Sequence, residues 1–98
     1  MLPKGVSIKE NSWRARIACK VMKSSGVAIV FGKTIHLFGI TKAEFLSSKT
    51  LVKHELKHVE QYQENGYLGF LIKYLWQCMR HGYYNNRFEV EAREAEKA

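Results

Sequence analysis

Residues 54–58 read His54-Glu55-Leu56-Lys57-His58, and the pattern H-E-x-x-H decides how the rest of the chain is read. On a helix, residues four apart are offset by only about 40° around the axis and about 6 Å along it. Both imidazoles then leave one face and can share one metal ion. The Glu55 carboxylate sits beside the first of them, placed to act on water at the metal. The flanks support a helix, with Thr50 as an N-cap candidate and Asn65-Gly66 as a stop signal. Along it Val52, Leu56 and Val59 form a stripe expected to face the core. Leu51, His54, Glu55, His58 and Tyr62 point elsewhere, toward an expected groove.

Upstream, Trp13, Ala15, Ile17, Cys19 and Val21 alternate with Arg14, Arg16 and Lys20, which predicts a half-buried strand over 13–21. After Ser24-Ser25-Gly26, two more apolar runs, 27–31 and 34–38, flank Gly32-Lys33, a spacing suited to a type II′ hairpin. Thr41 and Glu44 have capping-box spacing for a short helical turn. Downstream, 67–81 reads as a second helix, apolar nearly all round, the kind that is central to a core or covered by a partner. Gly82 ends it, and Asn85 or Asn86 can cap a last helix over 87–97. The expected fold class is α+β: one domain over 1–98, with a small antiparallel sheet of about three strands followed by three helices.

Composition narrows the partners. Of 98 residues, 46% are hydrophobic and 26% charged, and the formal net charge is +7, which favours anionic partners. The Lys and Arg are spread throughout, so a solvated basic surface is the simpler reading and nucleic acid the secondary one. Cys19 and Cys78 form no C-x-x-C pair, which argues for free thiols over a thiolate metal site. No signal peptide opens the sequence, and the most apolar run, 67–79, contains Lys73 and is too short to span a bilayer. These features lead to the expectation of a cytoplasmic protein with no membrane span.

A catalytic zinc needs three protein ligands and an open fourth position. His54 and His58 supply two. Glu60 and Glu64 share their helix and cannot reach round it, and Glu94 and Glu96 fall in a terminal turn expected to fray. Glu89, Glu91 and His81 remain as candidates for the third. His36 is expected on a strand face with no special role, and His81 at a helix C-terminus.

The segment from His54 to Gln61, a second apolar helix, and then Asn86-Arg87-Phe88-Glu89-Val90-Glu91-Ala92 together resemble the gluzincin clan of zinc metallopeptidases. The compactness resembles the minigluzincins, single-domain members with a sheet, an active-site helix and a glutamate helix. The resemblance implies a zincin-like fold and a zinc-dependent endopeptidase acting on a peptide or protein substrate, with one Zn²⁺ per chain. Matching Ala92 to the Ala of the clan's E-x-x-A-D implies His54, His58 and Glu89 as ligands and Glu55 as general base, with Glu91 as the alternative third ligand. His81, Tyr83 and Tyr84 are candidate transition-state stabilisers. An edge strand over 34–38 is the candidate for holding an extended peptide.

Arg93 stands where many members have an aspartate bonded to a ligand histidine, and the chain has no aspartate at all. The acceptor must then be a glutamate, with Glu91 a candidate, an amide oxygen or a backbone carbonyl. Two other functions compete. One is a latent or non-catalytic zinc-binding structural or interaction domain, in which 91–98 covers the groove and Glu96 or the terminal carboxylate takes the open position. The other is a nucleic-acid-associated metalloprotease of SprT-like type, whose third ligand would be a histidine. A second copy of the chain is a further candidate partner.

Overall fold

A computed structural model describes residues 2–97. In chain order these form β1 (Ser7–Lys9), α1 (Trp13–Met22), β2 (Val27–Phe31), β3 (Thr34–Phe38), α2 (Lys42–Ser47), α3 (Lys49–Asn65), α4 (Tyr67–His81) and α5 (Arg87–Ala95). The fold is α+β, as expected, but its sheet is mixed. Strand order is β1-β3-β2, with β2 antiparallel and β1 parallel to β3. The hairpin turns at Gly32-Lys33, where Gly32 takes φ 65° and Phe31 pairs with Thr34.

The strand expected over 13–21 is the helix α1. Trp13, Ile17 and Val21 recur every four residues as well as alternating, so the same apolar residues satisfy either period. Ser12 decides locally: it is the N-cap, and its hydroxyl accepts the Ala15 N–H. Ala15 and Cys19, one turn apart and small, are the buried positions, and they let α1 lie close against β2 and β3. The third strand is instead Ser7–Lys9, too short to show a pattern in sequence. Helices therefore number five among the described residues, where the sequence suggests three and a short turn.

β3 is the middle strand and is covered on both faces. Ile35 and Leu37 join Val30, Phe45, Val59, Tyr62, Phe70 and Phe88 in the core. His36 points the other way, where its Nδ1 lies 2.7 Å from the buried Ser12 hydroxyl. Burial lowers the His36 pKa, with Arg14 and Lys9 adding to the effect, which favours the neutral ring. It fastens the start of α1 to the sheet.

Each remaining helix sends one aromatic into this core: Phe45 from α2, Tyr62 from α3, Phe70 from α4 and Phe88 from α5. Thr41 caps α2 through a complete capping box, and Ser48 rather than Thr50 caps α3. The buried face of α3 is centred on Glu55, His58, Val59 and Tyr62. Val52 and Leu56, expected at its centre, are only partly buried. The histidine face is thus the inward face of the helix.

At Gly39 the backbone has φ 82°, and a Cβ there would sit 2.2 Å from the Ser25 carbonyl oxygen. Gly26 Cα would lie 2.7 Å away, and both of these neighbours are backbone atoms rather than movable side chains. Gly39→Ala should therefore lower unfolding free energy by at least about 2 kcal/mol, read in a urea titration. A variant as stable as the wild type would show that the 24–26 and 39–40 turns do not need this approach.

Candidate metal centre

The inward face of α3 meets α5 beside a groove, a cavity of about 500 Å³ walled chiefly by α1, β2, α3 and α4 and lined by His54, Glu55, His58 and Glu89. His54 and His58, one turn apart, bring their rings to 5.0 Å between centroids. Asn86 caps α5, accepting the Phe88 N–H, and so aims Glu89 from the first turn back at α3. Glu89 Oε1 lies 3.0 Å from His54 Nε2 and 3.3 Å from His58 Nε2. Tyr74 of α4 donates its hydroxyl to the other oxygen, Oε2, at 2.5 Å. Glu89 is thereby held with one oxygen presented to both imidazoles.

The far nitrogen of each imidazole is also fixed. His54 Nδ1 donates to Glu96 Oε2 at 2.7 Å, and His58 Nδ1 donates to the Gln61 amide oxygen at 2.8 Å. Gln61 in turn donates to the Phe88 carbonyl and to Glu91 Oε1. Such outer contacts set the tautomer, leaving Nε2 as the nitrogen that faces inward. A glutamate and an amide oxygen are thus the acceptors at the two outer nitrogens. Glu96 is ordered by this bond rather than frayed, and it faces the outer nitrogen of His54, away from the shared centre. Glu91 braces Gln61 and does not point at the histidines' inner nitrogens.

One ligand atom each from His54, His58 and Glu89 fall within 4.8 Å of one another, so the three could hold a metal ion. Donors of a tetrahedral N/O site lie about 3.3 Å apart, close to the two distances Glu89 makes. Glu55 provides a second observation in favour. It is buried beside the histidines, and its Oε1 meets no hydrogen-bond partner among the described residues. A buried carboxylate oxygen left unpaired is costly unless something else approaches it.

The charges in the pocket are strongly coupled. Burial pushes the Glu55 carboxyl up to about 7, against the opposing pull of His58 and His54. Burial alone would lower His54, but its Glu89 bond, the Glu55 charge and the Glu96 bond outweigh that and raise it to about 9. His58 is raised in the same way, burial being outweighed chiefly by its bond to Glu89. Burial opposes ionisation of Glu89, yet hydrogen bonds from His54 and His58 hold its carboxyl well below the usual range. The acidic surroundings therefore favour positive charge at the two imidazoles.

The remaining sequence candidates separate. Tyr83 lines the groove, and partial burial with the charges of Glu89 and Glu55 keeps its phenol protonated. His81 is exposed at the end of α4 and does not line the groove. Tyr84 faces outward, its ring under the Arg93 guanidinium at 3.9 Å. The strand beside the groove is β2, an edge strand, whereas 34–38 is the middle strand and has no free edge. Gln61, Tyr74 and Glu96 were not assigned these roles from sequence. Gln61 could have been found as the residue three after a ligand histidine, and Tyr74 as a hydroxyl in an apolar helix that needs a partner. Cys19 and Cys78 are free thiols outside the cluster. No protein-family model, curated protein or solved structure matches the chain.

Proposed function

We propose that the chain is a zinc-dependent endopeptidase of gluzincin type, with His54, His58 and Glu89 as ligands and Glu55 as general base. One observation carries this reading. Three potential ligand atoms, two imidazole nitrogens and a carboxylate oxygen, converge in a groove, and an unpaired, buried carboxylate oxygen sits beside them. Zinc supplies Lewis acidity at such a point, polarising a carbonyl and acidifying water.

The protein's own groups supply the rest. Glu55, with its carboxyl near neutrality, can take a proton from a water that attacks the scissile carbonyl and return it to the departing amine. The new C–O bond replaces the C–N bond, and Glu55 ends as it began. Tyr83, protonated on the groove wall, can donate a hydrogen bond to the carbonyl oxygen as it gains charge. The β2 edge offers backbone groups for an extended substrate, although Tyr62 already donates to the Val30 carbonyl there. Tyr74 keeps Glu89 from rotating, and Gln61 and Glu96 hold the two rings.

Metal content of the purified protein tests this. About one zinc per chain is expected for the wild type, and none after His58→Ala. Gln61→Met keeps volume but removes the acceptor on His58 Nδ1, and should weaken zinc about 10- to 100-fold in a chelator competition. Wild-type protein that binds no zinc under those conditions would sink the proposal.

A further inference from the structure

α4 shows the core only a narrow face. Phe70 is its single buried residue, with Leu71 and Tyr74 partly covered. The opposite side carries Leu68, Ile72, Leu75, Trp76 and Met79, each more than half exposed and Met79 85% so. Their spacing places them on one stripe. α1 presents a second stripe of exposed residues, Trp13, Ile17 and Val21, also at four-residue spacing. The two stripes meet across one opening, because Ile17 and Val21 from α1 and Leu75 from α4 all line the groove. An exposed apolar surface of this extent on one side of a small protein marks an interaction site.

Charge identifies the occupant. α1 and α4 together carry five of the sixteen Lys and Arg residues (Arg14, Arg16, Lys20, Lys73 and Arg80) and none of the nine acids. Elsewhere the two signs are nearly balanced. The cations flank the apolar stripes, and two of them cover tryptophans: the Arg14 guanidinium lies 4.5 Å from the Trp13 ring centre, and that of Arg80 5.1 Å from Trp76. Apolar helix faces bordered by Lys and Arg, with tryptophans beside the charges, suit a layer that is apolar inside and anionic at its surface. No described helix is long and apolar enough to cross a membrane, so contact would be in the plane of the surface.

We propose that the α1–α4 face docks the protein on anionic lipid bilayers, with both helices lying in the headgroup region and the groove opening toward the lipid. The face requires no metal and stands independently of the peptidase reading. If that reading also holds, the substrates within reach are protein segments close to a membrane surface.

The test uses the full chain and vesicles of phosphatidylcholine, with or without about one third phosphatidylserine. Trp13 and Trp76 are the only tryptophans, so intrinsic fluorescence reports this face alone. Anionic vesicles should shift emission to the blue and carry the protein on flotation, and added salt should release it. Arg16→Gln with Lys20→Gln should weaken binding roughly 25-fold, about fivefold per cation. Ile72→Ser with Met79→Ser should weaken it at least about tenfold. Both pairs are exposed, so circular dichroism should be unchanged. Equal binding to neutral vesicles, or none to either, would overturn the proposal. So would a dimer that Ile72→Ser with Met79→Ser dissociates, which would assign the face to a second copy. Salt-sensitive binding to duplex DNA with no blue shift on vesicles would overturn it in favour of nucleic acid.

Discussion

On the proposed peptidase reading, replacing Glu55 by Gln should lower peptide hydrolysis by about 10² to 10⁴-fold, the usual range for loss of a general base. Zinc content should not change, because Glu55 is not among the three converging donors. Stability should not fall either. The side chain is 4% exposed and one of its oxygens is unpaired, so the wild-type carboxylate is held at a cost that an amide of the same shape avoids. The variant is thus expected to melt at the same temperature as the wild type or higher, while turning over far more slowly. The measurement is a digest of unfolded casein or a peptide library, beside a thermal melt. Equal rates for both proteins would show that Glu55 is not the base. Loss of zinc from Glu55→Gln would make it a ligand instead.

Stripped of metal, the protein should lose stability steadily as pH rises from about 4.5 to about 9. His54 has its folded pKa raised from 6.5 to about 9. Its contribution is complete below 6.5 and is lost as pH rises through 9. Glu55 is raised from 4.5 to about 7, so the folded state holds a proton that the unfolded chain has released, and stability again falls across that interval. Glu89 is lowered, so its contribution is present above 4.5 and disappears only in acid. The slope is about 1.4 kcal/mol per pH unit for each group while it is the one titrating. Zinc needs neutral imidazoles, so on the proposed ligand set its binding should strengthen over the same interval. Melting curves with and without chelator should therefore diverge as pH increases. A gap that is constant from pH 5 to 9 would mean that protons and metal do not compete for His54 and His58.

The centre was far more legible in the sequence than the scaffold around it. His54 and His58 are bound by helical geometry to share a face, and no tertiary knowledge is needed to pair them. Glu89 followed from the resemblance, and it is Glu89 rather than Glu91 that lies against both rings. The long helices ended at Gly66 and Gly82 as read. The sequence is ambiguous at α1 because Trp13, Ile17 and Val21 fit a period of two and a period of four equally well. What separated the two was tertiary: a sheet surface that accepts Ala15 and Cys19 and leaves the large side chains outside. β1 was invisible because three residues with one partly buried position carry no period. The outer contacts of the histidines were illegible for another reason. Gln61 and Glu96 are ordinary polar residues until the packing of α5 against α3 brings them to a ring nitrogen.

Gln61 touches both sides of that packing, gripping His58 with its oxygen and the backbone and Glu91 of α5 with its nitrogen. The helix that carries Glu89 therefore also braces His58. His54 and Glu89 stand 35 positions apart in the chain, so a metal joining them closes a loop as a covalent cross-link would. By chain entropy, a loop of that size is worth about 4 kcal/mol against the unfolded state. The same coupling governs release. Detaching α5 from α3 would undo the Glu89, Glu96 and Gln61 contacts together. On the proposed ligand set, a bound metal and the docking of the C-terminal helix on α3 would stabilise one another.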